Sequence, residues 1–575
     1  MGQAVAVRSD LTSKAVRRLA QRARNAAQNT NHRRLTQATN TLALIAVTAM
    51  SIVPTFLVEL PAMNDYPGHL ARMYVLASIG TPDQNPYYHF YLPYIYPNLA
   101  MDIIVPFFSR LVGAAVATKA FLILSQVLLV TGAVALEMAV KRRHEIAGFA
   151  AAAVLYSLPF AWGFLNLEFG FGLALWGLGA WFALADKELI TRLVIHGLFC
   201  VCLFVSHLVA FGLYGATLVF YEITRAFQLN SDWKRTGKSF AILVGPAALV
   251  LAYFTAFAVH NVGEGATNWS AFGKFLSILH GMNGHSGQIA IFNILAIIAT
   301  TLFMFKKQYL VITPEGKCIA AGFLILIIVL PFRALGGDLP GLRITIGALL
   351  ILPAFLNFTL TSRSFRFVPA VVLSLIALVN AGHIASRWLG FQPQYAALRE
   401  SFRQIKAGAF VLVAHANFKD DRFDGSEMAF MTAIPLATHY SNAFLPTLFT
   451  IPGQQPLQVC PALKRFALGT TKDYWPVAFS LLAAVANGAA TSDVPDHVRD
   501  WLHDYDYLYV VGPPGPNPMP NRLAALMTDT HFTLYRIIKL PGEEDSLRTL
   551  IRRSSDEVSH QPDGCLQRSK AIAAM

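Results

Sequence analysis

With 575 residues, 55% of them hydrophobic and only 14% charged, the chain has too much apolar surface for a water-soluble fold, so lipid must solvate much of it. Its formal net charge of +13 would suit a nucleic-acid binder. The basic residues, however, gather at the N-terminus and in short clusters between apolar runs, a positive-inside pattern that offers no continuous basic face. Membrane lipids are expected partners; nucleic acid is not.

In chain order, residues 1–40 carry Arg8, Lys14, Arg17, Arg18, Arg22, Arg24, Arg33 and Arg34 against one acid, Asp10, which holds this segment in the cytoplasm. Thr41 to Leu60 is long enough to span and lacks a small-residue cleavage site, so it reads as a retained first helix. A first outer loop follows over 61–117. Within it Leu99 to Gly113 is apolar but carries Asp102, Pro106 and Arg110, and an interfacial helix is predicted there. Further spans are expected at 118–140, 146–162, 168–185, 192–208, 209–224, 239–259, 287–305, 318–332, 343–360 and 367–385. This count places Lys141 to Arg143, Lys187 with Arg192, the group Arg225, Lys234, Arg235 and Lys238, Lys306 with Lys307, and Arg363 with Arg366 all on the cytoplasmic side. Counting Leu99 to Gly113 as a span would put every one of these clusters outside. Two short helices must turn near Ser206 to Gly212, since one long helix would break the charge pattern.

After Ala385 no spanning run occurs, and the chain leaves on the outer side. The remainder reads as an α/β domain with strands at 410–414, 507–512 and 532–538, and helical patterns at 476–490, 495–503 and 520–528. Strands alternating with helices favour an open sheet. Tyr505, Tyr507 and Tyr509 alternate as core aromatics do, although with Trp475 they could instead bind an acceptor glycan. Cys200, Cys202 and Cys318 fall in apolar runs as small buried hydrophobes. Cys460 and Cys565 both fall in the outer domain, where a disulfide is permitted but not demanded. No internal repeat or glycine-rich phosphate loop occurs. The expected architecture is therefore a polytopic α-helical membrane protein of about eleven spans with a C-terminal α/β periplasmic domain, divided as 1–40, 41–388 and 389–575.

Polar residues near lipid are expensive and mark function. The segment PAMNDYPGHLARMYVL brings Asn64, Asp65, Tyr66, Pro67, His69 and Arg72 to the outer membrane face. Pro67 and Gly68 open a helix, so Asp65 stands just before its N-terminus, where it can either cap that helix or do chemistry. The loop RALGGDLPGLR carries Arg333, Asp338 and Arg343. Arg343 enters the tenth span near its outer end, which leaves binding of a lipid phosphate, snorkelling and pairing with Asp338 as alternatives. Glu168 in NLEFGFG and His207 in SHLVAFG sit near the outer ends of their helices. The outer loop from His260 to Ser286 carries Glu264, Trp269, Lys274, His280 and His285, and could close over a carrier or acceptor. Its two histidines have no carboxylate or thiol beside them to complete a metal site.

At NDYPGHLAR the chain resembles the bacterial GT-C glycosyltransferases, integral-membrane enzymes that take a sugar from a polyprenyl-phosphate carrier. Asp65 matches the family's acidic position just after the first span, and Asn98 to Gly113 resembles its interfacial helix. The many spans and the C-terminal outer domain fit as well. The resemblance implies a multi-pass protein of the bacterial inner membrane that transfers a hexosyl or pentosyl group, with inversion, from a lipid-linked sugar donor to a glycan, lipid or protein acceptor of the cell envelope. It implies Asp65 as general base, with His69, Arg72, Asp102, Glu168, His207, Arg333, Asp338 and Arg343 around the substrates. Some members pair the loop aspartate with a second acid to hold a divalent ion. Here the next acids are Asp83 and Asp102, at spacings that force no shared ion, so no metal or other cofactor is expected. A transporter or flippase, or a non-enzymatic envelope glycan assembly protein, are the alternatives. The absence of repeated halves and the clustering of polar residues at one face argue against transport.

Overall fold

The computed structural model describes residues 37–228, 233–258, 267–334, 337–358, 365–416, 426–468, 476–489, 494–541 and Cys565. The N-terminal basic residues, Glu264, Arg363 and Trp475 lie outside the described residues. In lipid a backbone can satisfy its N–H groups only within its own segment, so the apolar runs become helices. The first is α1 (Gln37–Leu57). The loop after it folds into α2 (Tyr66–Ser78), the short strand β1 (Tyr88–Phe90) and α3 (Ala100–Val112). Helix α3 buries Met101, Asp102 and Val105 and exposes Phe107, Phe108 and Leu111, the two-faced pattern of the interfacial helix expected here.

The bundle continues with α4 (Ala114–Lys141), α5 (Ala147–Val154), α6 (Leu158–Ala161), α7 (Leu165–Ala183), α8 (Leu189–Ser206), α9 (Leu208–Gln228), α10 (Trp233–Tyr253), α11 (Ala271–Leu279), α12 (Gly287–Lys306), α13 (Pro314–Val329), α14 (Pro340–Ile351) and α15 (Val368–Phe402). Among the described residues, six helices are long and apolar enough to cross a bilayer unaided: α1, α4, α8, α10, α12 and α15. Several of the other expected spans are short or interrupted. The run at 146–162 breaks before Pro159 into α5 and α6, and the gap is filled from the loop after α11. There the Leu158 N–H donates to Gly281 O (2.9 Å) and the Gly284 N–H to Tyr156 O (3.2 Å). The turn expected near Ser206 falls at His207, which is extended between α8 and α9.

Helix α15 runs well past the expected end at 385, because its second half changes solvent without changing conformation. Past residue 385 it buries Trp388, Tyr395, Leu398 and Phe402, with Tyr395 stacked on Phe430 and Phe402 against Tyr509 of the C-terminal domain. That domain is a mixed five-stranded sheet. Besides β6 (Val411–His415) it contains β8 (Val477–Ala478), β9 (Tyr507–Val511), β10 (Leu523–Thr528) and β11 (Phe532–Ile537), in the order β10-β11-β9-β6-β8, with β7 (Leu457–Val459) apart; β2 (Leu310–Ile312) and β5 (Leu356–Phe358) form a separate antiparallel pair between bundle helices. Strand β6 is parallel to both neighbours, whereas β9, β11 and β10 are antiparallel.

The helix expected at 520–528 is instead the strand β10. Leu and Ala favour a helix by only fractions of a kcal/mol per residue, and the turn at Asp529 returns the chain so that LAALMT zips onto β11. The helix expected at 495–503 shrinks to a 3₁₀ turn at Asp496–Val498 and the four residues Trp501–Asp504. Tyr505, Tyr507 and Tyr509 are core residues, each at most 3% exposed, and so offer no face to a glycan.

The first outer loop is built into this domain. Strand β1 pairs antiparallel with β7, and Asn85 Nδ2 donates to Thr438 O (3.2 Å) and Ala443 O (3.1 Å). Cys460, which follows β7, is bonded to Cys565.

Candidate functional site

The site begins where the chain leaves α1. The Asn64 N–H donates to Ala161 O and the Asp65 N–H to Trp162 O, each at 3.0 Å, so the end of α6 sets the position of Asp65 through its main chain. Gly163 makes this approach possible. Its φ is +82°, and a Cβ there would lie 2.9 Å from the Asp65 nitrogen, a backbone and a distance that only glycine accepts.

Asp65 occupies the N-cap position of α2, yet its side chain makes no capping hydrogen bond. Its carboxylate makes none with any other described residue. It is half-buried between the buried Asn64 and Tyr66. Burial pushes its carboxyl up to about 7, opposed by the Arg72 and Arg343 guanidinium groups.

Arg72 and Arg343 are placed by different means. Arg72, fully buried, donates through Nε to Asp102 Oδ1 (2.8 Å) and through Nη2 to Asp102 Oδ2 (3.0 Å). Its Nη1 has no partner among the described residues. Asp102 thus orients a cation and locks α3 to α2. Arg343 lies in the first turn of α14, which starts after Leu339 at φ +60°, a left-handed turn that a branched residue adopts only when its surroundings enforce it. The Arg343 guanidinium lies 4.4 Å from the Phe164 ring centre and its Nη1 3.4 Å from His207 Nε2. The Val209 N–H donates to His207 Nδ1 (3.1 Å), so a neutral His207 carries its proton on Nε2. Nη1 and Nε2–H are then both donors in contact with each other, and the group here that suits an anion is the Arg343 guanidinium.

The other expected residues divide. His69 is buried one turn after Asp65; burial and Arg72 hold it well below its ordinary range, so it is neutral. Glu168, in the first turn of α7, is 1% exposed with Oε1 lacking a partner among the described residues. Arg333 belongs to a small ribbon in which β3 (Arg333–Ala334) pairs with β4 (Gly337–Asp338), its Cα opposite that of Asp338, and its backbone bridges to Asn268. It is not among the charges that act on Asp65. Among the described residues, the single group of three potential metal ligands is His89 with the disulfide-bonded Cys460 and Cys565; Asp65 is not part of it.

Phe449, from the C-terminal domain, comes to the site unannounced by any sequence motif. Its ring meets His69 edge-on at 5.3 Å and lies 6.0 Å from the Arg72 guanidinium. It rests against Gly68, where a Cβ would come within 3.0 Å of Phe449 Cε2. Gly163 and Phe164 were also unmarked, although the tripeptide WGF between two apolar runs does signal a break.

A helical bundle, an interfacial loop holding an acid with no side-chain hydrogen bond among the described residues, and a mixed sheet docked over that loop define a polytopic membrane protein with a C-terminal α/β domain. No protein-family model and no curated protein sequence matches the chain. Among solved structures it is similar to ArnT from Cupriavidus metallidurans. The apo form aligns with a TM-score of 0.50 at 12% identity, over 87% of this chain and 98% of that one. The form bound to undecaprenyl phosphate aligns with a TM-score of 0.47 at 13% identity over the same shares. At such identities the likeness is one of fold.

Proposed function

We propose that the protein is a membrane glycosyltransferase that moves a hexosyl or pentosyl group from a polyprenyl-phosphate donor to a glycan, lipid or protein acceptor of the cell envelope. The observation that carries this reading is the Asp65 carboxylate, half-buried, hydrogen-bonded to no described residue and balanced near 7 under two guanidinium groups. A carboxyl used only as a cap would be saturated by backbone N–H groups and held low. The shared fold with apo ArnT and the resemblance of NDYPGHLAR to the GT-C acidic loop support the same reading.

In this mechanism Asp65 accepts the proton of an acceptor hydroxyl as its oxygen attacks the anomeric carbon. The bond from that carbon to the carrier phosphate breaks on the opposite face, and the anomeric centre inverts. The departing phosphate takes up negative charge, which the Arg72 and Arg343 guanidinium groups, both acting on Asp65, are suited to receive. No metal is assigned a part. In this reading the site faces the periplasm and the N-terminus is cytoplasmic, which the distribution of basic clusters in the sequence supports. The test is Asp65→Asn in membranes supplied with undecaprenyl phosphate carrying a radiolabelled sugar: transfer should vanish while the protein still inserts. Undiminished transfer would remove Asp65 as the base.

A further inference from the structure

We infer that Asn380, in α15, is a positioning residue for the proposed base: its carboxamide ties the loop between α11 and α12 into the break before α6, and α6 in turn holds the main chain at Asp65. This rests on the glycosyltransferase reading and extends the site to α15, which supplies none of the residues described around Asp65.

The first support is saturation. Asn380 is fully buried, and every donor and lone pair of its carboxamide is engaged. Its Oδ1 accepts from Asn283 Nδ2 (3.0 Å) and Asn293 Nδ2 (2.9 Å). Its Nδ2 donates to Met282 O (3.1 Å) and to Ala153 O (3.1 Å), a carbonyl in the last turn of α5, where helical donors run out. One side chain of α15 therefore joins the end of α5, the loop at Met282 and Asn283, and α12. An apolar residue would fill the same space with no polar group to desolvate, so an amide saturated in this way fixes geometry.

The second support is the path onward. Met282 and Asn283 lie between Gly281, whose carbonyl receives the Leu158 N–H at the start of α6, and Gly284, which packs so closely on α6 that a Cβ there would lie 2.1 Å from Ala161 Cβ. Ala161 O and Trp162 O then accept the Asn64 and Asp65 N–H groups. Each step from the Asn380 carboxamide to the Asp65 nitrogen is a hydrogen bond or close packing. The third support is need. Helix α6 is a single turn of four residues, too short to hold itself in place. Its position comes from what it rests on, which is this loop and, through the stacking of Phe160 on Trp388, α15 again.

The test uses the two asparagines that donate to the same Asn380 oxygen. Asn283 lies on the path to α6, and Asn293, on α12, does not. In purified full-length protein, Asn283→Ala should lower kcat for transfer from undecaprenyl phosphate carrying a radiolabelled sugar by about tenfold or more. Because Asp65 then loses burial, the midpoint of its pH profile should fall below the parent value near 7. Asn293→Ala should leave kcat within about twofold and the midpoint unmoved. Asn380→Ala should lower kcat at least as far as Asn283→Ala; where it fails to insert, the asparagine pair decides. Equal losses in the pair, or no loss in either, would make the junction ordinary packing and overturn the inference. A readout independent of transfer separates this from the role of Asp65. In Asp65→Cys protein, labelling of position 65 by a membrane-impermeant maleimide, followed by peptide mass spectrometry, should quicken with Asn283→Ala and not with Asn293→Ala. Unmoved labelling discards the positioning role even where Asp65→Asn abolishes transfer. Transfer that survives Asp65→Asn discards the base, and the labelling then decides the positioning by itself.

Discussion

Two acids have their carboxyl groups beside the starts of helices, Glu137 at α5 and Asp65 at α2, and they are treated in opposite ways. Glu137, near the C-terminus of α4 among the basic residues, is saturated. It accepts from Lys141 Nζ (2.9 Å), from the Glu145 N–H (2.7 Å) and, at the start of α5, from the Ala147 (3.1 Å) and Ile146 (3.4 Å) N–H groups. It caps a helix from the side, as an N-terminal dipole invites. Asp65 occupies the cap position itself and caps nothing. Position in sequence is thus a poor guide to what an acid does; the number of its hydrogen bonds is a better one. A saturated carboxylate holds structure, and an unsaturated one is available for chemistry.

The sharpest way to break this contrast is to neutralise both acids. Asp65→Asn should lower transfer by about a hundredfold to ten-thousandfold, the range for a lost general base, with no loss of thermal stability in detergent. Glu137→Gln should leave the chemistry alone but destabilise by about 1–3 kcal/mol, because buried N–H donors lose an ionised acceptor. If the effects were exchanged, Asp65 would be the structural acid and Glu137 would need another account.

Next in size is the ion pair that aims Arg72. Asp102→Ala leaves a fully buried guanidinium without its partner, a change of about 3–5 kcal/mol, read as a large drop in melting temperature together with lost transfer. A mild effect on melting would mean that Arg72 finds another anion, and that its orientation toward Asp65 is not set by α3. Smaller again is Gly163→Ala. The left-handed backbone and the 2.9 Å approach to the Asp65 nitrogen predict about 1–3 kcal/mol of strain. Relaxing it moves Asp65, so transfer should fall about tenfold or more even where melting changes little. Unchanged transfer would show that the main-chain docking of Asp65 on α6 tolerates displacement.

How much of this was legible in the sequence varies with the range of the forces involved. Lipid imposes its demands locally, so the apolar runs, the break at His207 and the interfacial character of Phe107 and Leu111 could all be read from composition and charge. Asp65 was legible for the same reason, as a charge beside a span. Its freedom from capping was not, since that depends on Trp162 and Gly163 about a hundred residues away. The loop RALGGDLPGLR offers two arginines of equal chemistry. The left-handed turn at Leu339 and the helix after it send Arg343 to His207 and Phe164, while Arg333 stays on the β ribbon. LAALMT looks helical by propensity and becomes a strand because a tight turn hands it to a neighbour. Phe449 has no local signature; long-range contacts such as the pairing of β1 with β7, the Asn85 bonds and the stacking of Tyr74 on His439 bring its loop over α2.

The gentlest test of the contrast between the two acids is pH. With its carboxyl near 7, Asp65 is about one-tenth ionised at pH 6 and about nine-tenths at pH 8, so transfer should rise about tenfold across that interval if the carboxylate is the working form. Arg343 acts to lower this value, so residual transfer by Arg343→Gln should show its midpoint moved to higher pH. Stability must run the other way. Below about pH 4 the group is protonated whether folded or unfolded. As pH rises from there to 7 the unfolded chain gives up the proton while the folded one keeps it, so the carboxyl's contribution to stability is lost progressively and stays lost above 7. Asp65→Asn should therefore gain on the parent protein as pH is raised through this window and hold a constant lead beyond it. A rate that is flat from pH 6 to 8, or an advantage for the variant that is greatest in acid, would mean that the carboxylate is stabilised after all, and that Asp65 is an acid of the same kind as Glu137.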